Sequence, residues 1–167
     1  MGTRSHDDAV SLIVDVSMDG VRAPVARDRL RDLAIGVLKA ERVRDALLSI
    51  TLVSPSQIAR LNRAHLGHAG STDVISFALT NPPDASARQA VVGDIYIAPA
   101  VARANAARLR ASVRQEIARL VVHGTLHVLG HDHPDGADRT ISPMWRRQEQ
   151  LLARLTSASA SRGKSAR

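Results

Sequence analysis

The arrangement of apolar and polar residues along the chain predicts four short β-strands. Runs rich in valine, isoleucine and leucine, bounded by charged residues, glycine or proline, are typical of strands. These runs cover residues 12–16, 47–53, 73–79 and 94–98. The segment 80–90 lies between the last two runs and contains Pro82 and Pro83, so it predicts an exposed loop.

Apolar residues that recur every three or four positions predict helices in the rest of the chain. The predicted helices cover residues 24–39, a segment that begins at Ser54 and Pro55, and residues 100–109, 112–129 and 143–155. Gly130 and Pro134 are expected to end the helix 112–129, because glycine tolerates left-handed backbone and proline cannot continue a helix.

The order of these elements predicts the fold class. The chain has 167 residues, which suits one compact domain. Two strand–helix units are followed by two strands and then by helices, and this order favours an α+β fold with one mixed four-stranded sheet and about five helices. We expect this single domain to cover residues 1–155. Residues 156–167 are small, polar and basic, and we expect them to form a disordered tail.

Composition and charge narrow the range of functions. The chain has no cysteine, which excludes disulfides and thiolate metal ligands, so His, Asp or Glu must hold any metal ion. It carries 23 Lys and Arg against 16 Asp and Glu, a formal charge of +7, and all but two of the cations are arginine. Because arginine binds phosphate through two parallel hydrogen bonds, nucleic acid is a plausible partner. With few aromatic residues to stack bases, phosphate contacts should dominate any such binding.

The absence of a long apolar run predicts a protein without a membrane span. The first residues are polar and do not resemble an export signal. We therefore expect a soluble, cytoplasmic protein that has no membrane partner.

A cluster of histidines is the strongest chemical signal. His123 and His127 are four residues apart on a predicted helix, so both side chains can reach one metal ion. Gly130 then allows the chain to turn back and to bring in His133. Three protein ligands leave one position of a tetrahedral zinc ion open, as in catalytic sites. His131 is expected to face away and to border the site.

The residue after His123 argues against a protease. Zinc proteases of the His-Glu-x-x-His type use the glutamate as a general base, and Gly124 occupies that position here. A phosphodiester is a better substrate candidate, because a metal ion can polarise its oxygens and arginines can offset its charge. His65 and His68 are expected to be solvated in a loop, although a contact with substrate stays open.

Three motifs resemble those of the YbeY family of metal-dependent endoribonucleases. They are the string from His123 to His133, Leu61-Asn62 followed by 72–77 (Thr-Asp-Val-Ile-Ser-Phe), and 93–97 (Gly-Asp-Ile-Tyr-Ile). The resemblance implies one Zn²⁺ per chain on the histidines matching His123, His127 and His133. It also implies processing of the 3′ end of small-subunit (16S) ribosomal RNA, and a role in late ribosome maturation and quality control in the cytoplasm.

The chain departs from the family pattern at two positions. Family members often carry an arginine where Leu66 stands, within a Tyr-Arg pair, so Arg60 or Arg63 on the same predicted helix would have to replace it. The common tyrosine before the Asp-His of the signature is His131, which could tune the polarity of the site or titrate near neutral pH.

The general base and the nucleophile are not assigned by the sequence. Asp132 is a candidate for a carboxylate that orients a metal-bound histidine, or for a simple turn residue. Asp73 and Ser76 are candidates to line the cleft, or to be a turn cap and a small core residue. Trp145 is expected to anchor the core rather than to stack on a base.

Three hypotheses about function follow. The first is a zinc-dependent endoribonuclease that cleaves single-stranded RNA during ribosomal RNA maturation, with ribosomal RNA, ribosomal particles and possible ribosomal or assembly proteins as partners. The second is a ribosome-assembly factor whose metal is chiefly structural and whose nuclease activity is weak or absent. The third is a metal hydrolase that acts on a small ester or amide, whose binding should respond little to salt.

Overall fold

The four predicted strands form one mixed sheet. The structure is a computed structural model that describes residues 10–80 and 89–164, with side chains up to residue 157. The strands are β1 (Ser11–Met18), β2 (Asp45–Leu52), β3 (Val74–Ala78) and β4 (Val91–Ile97), in the order β1-β2-β4-β3. Strands β1, β2 and β4 are parallel to one another, and β3 runs antiparallel to β4. The predicted α+β fold with a mixed four-stranded sheet is confirmed. Most of the predicted loop 80–90 lies outside the described residues.

The described part of the chain contains five α-helices. They are α1 (Arg27–Ala40), α2 (Pro55–Leu61), α3 (Pro99–Leu109), α4 (Val113–Val128) and α5 (Pro143–Lys164). A π-helical turn (Asn62–Leu66) follows α2, and a 3-10 segment (Gly136–Ile141) precedes α5. Capping boxes begin α2 at Ser54 and α4 at Ser112, where each serine accepts a hydrogen bond from the backbone N–H three residues on.

Two boundaries differ from the prediction. Helix α1 begins at Arg27 rather than near Pro24. Helix α5 continues to Lys164, so residues 156–164, which we expected to be disordered, are helical in the structure. Their small residues allow the helix to continue, and the Thr156 and Ser157 hydroxyls donate to backbone carbonyls one turn earlier. The domain boundary at residue 155 stays a prediction.

Helix α4 occupies the centre of the fold and positions the histidines. It packs against β3 and β4 on one side and against α1, α3 and α5 on the others. The main core between the sheet and these helices includes Leu48, Ile95 and Leu126, all fully buried. A smaller cluster around Ile58 and Ile75 covers the other face of the sheet beneath α2. Helix α4 is thus fixed from several directions, and its C-terminal half is held rigidly beside α5.

Two glycines allow this close packing of α4 on the sheet. A Cβ atom at Gly93 of β4 would lie 2.5 Å from Val128 Cγ1, and a Cβ atom at Gly124 would lie 2.7 Å from Ile95 Cγ2 and 3.0 Å from Ser76 Oγ. All three distances are shorter than an ordinary van der Waals contact. The glutamate of the protease motif therefore has no room at position 124 in this packing.

Candidate metal centre and adjoining cavity

The end of helix α4 brings the three predicted histidines together. His123 and His127 lie one turn apart on α4, and their ring centroids are 4.6 Å apart. The helix then ends in a Schellman motif, in which the backbone N–H groups of Gly130 and His131 donate to the carbonyls of His127 and Leu126. Gly130 takes a φ of 90°, which reverses the chain and carries His133 back to the helix.

The nitrogens of the three rings converge on one point. His133 Nε2 lies 3.3 Å from His127 Nε2 and 3.4 Å from His123 Nε2. One nitrogen from each ring lies within 4.8 Å of the other two. Two nitrogens that each bind a tetrahedral zinc ion at about 2.0–2.1 Å are about 3.3 Å apart, so this spacing suits such an ion. The cluster can hold a metal ion.

Hydrogen bonds on the far side of two rings assign their tautomers. His123 Nδ1 lies 2.7 Å from Gln148 Oε1, and His133 Nδ1 lies 3.0 Å from the carbonyl oxygen of Pro134. Because both partners are acceptors, each Nδ1 must carry the proton and donate it. The Nε2 atoms of His123 and His133 then face each other with lone pairs only. Such a pair repels unless a cation or a proton lies between, which favours a metal ion at this point.

The surroundings of His123 and His127 keep these two rings neutral, as metal binding requires. The pKa of His123 is lowered from 6.5 to about 3, mainly by burial and also by the nearby His127, Arg139 and His133, although the hydrogen bond with Gln148 raises it. Burial, followed by the proximity of His133, also lowers the pKa of His127. His123 and His127 are therefore available as ligands at neutral pH without the loss of a proton.

A buried hydrogen-bond network orients His123 from behind. The Gln148 side chain is 1 % exposed, and its Nε2 donates to Glu149 Oε1 at 3.1 Å. Arg119 donates to the same Glu149 oxygen and to Glu116. Although burial alone would raise the pKa of Glu149, the hydrogen bonds from Arg119 and Gln148 lower it, so Glu149 is an anionic acceptor. This network fixes the Gln148 amide with its oxygen toward His123.

Sequence reasoning missed Gln148, because it lies on α5, 25 residues after His123, and belongs to none of the three motifs. The only signal in the sequence was spacing, because Gln148 lies four residues after Met144 and three before Leu151, on one buried face of α5. A glutamine among apolar residues on a buried helix face indicates a specific hydrogen-bond partner.

A cavity of about 690 Å³ opens beside His123, between α3, α4 and the start of α5. Its walls include charged and polar groups from each of these elements as well as the ring of Trp145. Trp145 is half buried in this wall, so it is neither the core anchor that we expected nor fully exposed. The volume is in the range of small-molecule sites and is large enough for a nucleotide.

The three candidate catalytic residues have different surroundings. Asp73 lines the cavity that contains His123, and its carboxylate accepts hydrogen bonds from Asn105 and Thr72. Ser76 faces Gly124 and so lies in the interface between the sheet and α4. This matches the alternative prediction for Ser76, a small core residue. The Asp132 carboxylate accepts the backbone N–H of His133 rather than an imidazole N–H. Among the three, Asp73 is the residue that lines the same cavity as His123.

Three further histidines among the described residues lie apart from the cluster. His131 Nε2 lies 3.1 Å from Glu41 Oε2, and Arg147 donates to the other oxygen of the same carboxylate. Because Glu41 caps the C-terminus of α1, His131 faces that helix. His65 is exposed on the π-helical turn and packs edge-on against Phe77, at 5.1 Å between ring centroids. His68 is exposed in the segment that follows. None of the three lines the cavity as far as the described residues define it.

Leu66 occupies the position where family members often have an arginine, and the two expected replacements do not line the cavity. Leu66 is 49 % exposed at the end of the π-helical turn. Arg60 and Arg63, the expected replacements, are exposed, and neither is among the described residues that line the cavity beside His123. The structure does not bring them to the histidine cluster.

No helix in the described residues combines the length and the apolar character needed to cross a membrane.

Comparison with known proteins agrees with this site. The chain is 36 % identical over 150 residues to an Endoribonuclease YbeY of Frankia casuarinae, with 85 % of this chain and 74 % of the relative covered. It is 37 % identical over 143 residues to an Endoribonuclease YbeY of Anaeromyxobacter, with 86 % and 71 % covered. The fold matches the solution structure of TM1509 from Thermotoga maritima, with a TM-score of 0.60 at 22 % identity, over 93 % of this chain and 97 % of that one.

A family model defines the relationship. The model described as Endoribonuclease YbeY matches residues 19–156, which include all three histidines and the cavity. The family expected from the motifs is confirmed, and the chain belongs to the YbeY endoribonuclease family.

Proposed function

We propose that the protein is a metal-dependent endoribonuclease that cleaves single-stranded RNA during the maturation of ribosomal RNA. The observation that carries the proposal is the set of three imidazoles whose free nitrogens converge at 3.3–3.4 Å beside a cavity of nucleotide size. The names of the relatives support the choice of RNA as the substrate.

His123, His127 and His133 would hold the metal, and zinc suits a site of three neutral imidazoles without thiolates. The chemistry that zinc supplies in such a site is the polarisation of a phosphoryl oxygen and the acidification of a water molecule. Gln148 orients His123, and the Pro134 carbonyl orients His133. Asp73 is the candidate to accept a proton, because its carboxylate lies in the cavity and is held in place by Asn105.

The biological reaction that we propose is processing of the 3′ end of 16S ribosomal RNA, with roles in late ribosome maturation and quality control in the cytoplasm. Ribosomal RNA, ribosomal particles and assembly proteins would be the partners. The formal charge of +7, carried mostly by arginine, supports binding to RNA through phosphate contacts.

The test compares chelator-treated protein with zinc-restored protein on a ribosomal RNA fragment that contains an unprocessed 3′ end. We expect cleavage only after zinc is restored. A 2′,3′-cyclic phosphate with a 5′-hydroxyl on the products would identify the ribose 2′-hydroxyl as the nucleophile, and a 3′-hydroxyl with a 5′-phosphate would identify water. Equal cleavage by the two samples, or by the parent and His123→Ala, would contradict metal-dependent nuclease activity.

The exposed Leu66 at the position of the family arginine favours a second candidate, an assembly factor whose metal is chiefly structural. This candidate predicts that metal removal greatly lowers the melting temperature, since ligand binding contributes to folding. It also predicts that a folded His→Ala variant still binds ribosomal particles. Loss of this binding without loss of the fold would argue against it.

A further inference from the structure

We propose that Arg139 binds the phosphodiester group of the RNA that is positioned beside the three histidines. This inference rests on the proposed function and assigns one contact with the substrate within it. Arg139 lies outside the three motifs, on the 3-10 segment between His133 and α5.

The backbone of Arg139 is held firmly at this place. Its carbonyl oxygen accepts hydrogen bonds from both the backbone N–H and the hydroxyl of Ser142, at 3.2 and 2.7 Å. The Ser142 hydroxyl also accepts from the backbone N–H of Trp145 and so joins the 3-10 segment to the first turn of α5. The Arg139 guanidinium carbon lies 5.9 Å from the centroid of the Trp145 ring, within the range of a cation–π contact. The side chain is therefore directed along the cavity wall.

The guanidinium group of Arg139 has no anionic partner among the described residues. Its Nε atom is buried and makes no hydrogen bond there, which is costly for a charged donor. Arg119 and Arg147, by contrast, are both paired with glutamates. Buried charged donors are normally paired, so the lack of an acidic partner among the described residues leaves the Arg139 guanidinium group available to an anionic ligand in the cavity.

The position of Arg139 suits a ligand that also reaches the histidines. Arg139, His123 and Trp145 line the same cavity. The acidic groups of that cavity are already engaged, Glu116 by Arg119 and Asp73 by Asn105. Arg139 is thus a cation without an acidic partner among the described residues, on the wall of the cavity that also contains His123.

The chemistry of the ligand follows from the guanidinium group. Arginine binds the non-bridging oxygens of a phosphate through short, charge-assisted hydrogen bonds. A phosphodiester that reaches the metal would place such an oxygen next to Arg139, where the positive charge offsets the charge that develops during cleavage. Arg139 would thereby supply the cation that the chain lacks at Leu66, a role for which Arg60 and Arg63 lie outside the cavity.

The test measures RNA binding to zinc-loaded protein by the fluorescence of Trp145, the one tryptophan of the chain. The probe is a single-stranded 2′-O-methyl oligoribonucleotide, which gel analysis must show to be uncleaved. We expect Arg139→Gln to weaken binding about tenfold at low salt. We also expect a plot of log affinity against log salt to become shallower by about 0.7, the value for one lost phosphate contact on a single strand.

The matched control is Arg29→Gln, which removes the same charge from an exposed position on α1. It should bind the probe with the parent's affinity and salt dependence. Arg139→Lys should keep most of the salt dependence, because it keeps the charge, and should recover part of the affinity. Metal content and melting temperature of Arg139→Gln should match the parent, because Arg139 binds neither the metal nor a described acidic residue.

The outcomes separate this inference from the proposed function. If the parent binds and cleaves RNA while Arg139→Gln does so with equal affinity, salt dependence and rate, the role of Arg139 is wrong and the proposed function stands. An equal loss in Arg29→Gln would also contradict it, because the contact would then be general surface charge. If the parent neither binds nor cleaves RNA, both proposals fail.

Discussion

The two faces of helix α4 tolerate different side chains for different physical reasons, although their residues are neighbours in the sequence. On the face toward the sheet, Gly124 and Val128 meet β3 and β4 with no free space, and the size of each side chain decides what is tolerated. On the face toward the cavity, His123 has space beside it, and its hydrogen bond with Gln148 decides its orientation. The sheet face provides rigidity, and the cavity face uses it to hold three nitrogens at one point.

This difference predicts that substitutions on the cavity face change metal binding and activity more than folding. The opposite should hold on the sheet face. Four experiments test the distinction, beginning with the largest expected effect.

Removal of one imidazole should abolish metal binding. We expect His127→Ala to reduce metal content from one ion per chain to a level near zero, and to lower RNA cleavage more than a hundredfold, because two ligands hold zinc far more weakly than three. Atomic absorption and single-turnover cleavage measure these effects. His131→Ala is the matched control, since His131 is in the same segment but faces Glu41.

The control should retain one ion per chain and cleave RNA at close to the parent rate. If His127→Ala binds the ion as well as His131→Ala does, the three-histidine site is wrong.

Loss of the hydrogen bond behind His123 should weaken the metal site by a smaller factor. Gln148→Leu keeps the approximate volume but cannot accept the Nδ1 proton, so the Nε2 lone pair is no longer fixed toward the metal. We expect metal affinity to fall about 10- to 100-fold, as for other residues that orient metal-bound histidines. Competition with a chromophoric chelator measures the affinity.

Gln150→Leu is the control for this substitution, because Gln150 is exposed on the same helix. It should leave the metal affinity unchanged. Equal affinities for the parent and both variants would show that Gln148 only fills space.

The sequence was sufficient to predict the parts of the site that depend on local spacing. The interval between His123 and His127 is one helical turn, and Gly130 is the residue type that a Schellman motif requires. The sheet and its strands were predicted because their apolar runs are short and well bounded. These features depend on neighbouring residues alone.

The parts that the sequence did not predict depend on contacts between distant elements. Gln148 and Arg139 reach the cavity because α5 packs across α4, and no local pattern encodes that arrangement. Asp132 was a candidate to hold an imidazole, but the turn at His133 uses its carboxylate instead. Ser76 interrupts an apolar strand because Gly124 packs directly against it, which becomes evident only once helix and sheet are paired.

A methyl group on the sheet face should destabilise the fold. In Gly124→Ala the new Cβ would lie 2.7 Å from Ile95 Cγ2, an atom next to the backbone that cannot move away easily. We expect the free energy of unfolding to fall by about 1–3 kcal/mol, despite the better helix propensity of alanine. Chemical denaturation of metal-free protein measures the change.

Gly36→Ala in α1 is the matched control. Its Cβ would also meet a side-chain atom at 2.7 Å, but that atom is the end of the flexible Leu155 side chain. We expect little or no loss of stability. A loss as large as that of Gly124→Ala would show that the packing on the sheet is no tighter than elsewhere.

The smallest effect concerns the pH dependence of stability, which should report the cavity face alone. In metal-free protein the folded state keeps the pKa of His123 at about 3, whereas an unfolded chain has a value near 6.5. As the pH falls below about 6.5, the unfolded state takes up a proton that the folded state does not, and unfolding becomes more favourable. Between pH 7 and 5.5 we expect a loss of about 1 kcal/mol, or roughly 2–4 °C in the melting temperature.

Two comparisons assign this pH effect to the histidine cluster. Metal-free His123→Gln should show a shallower dependence over the same range, because it removes the group whose protonation favours the unfolded state. Zinc-loaded parent protein has its imidazoles held without protons by the metal, so dissociation of the metal should add to the loss of stability as the pH falls. If the free energy of unfolding depends on pH equally in the metal-free parent and in His123→Gln, the folded state does not lower the pKa of His123. The cavity face of α4 would then not shield this ring from water as its burial implies.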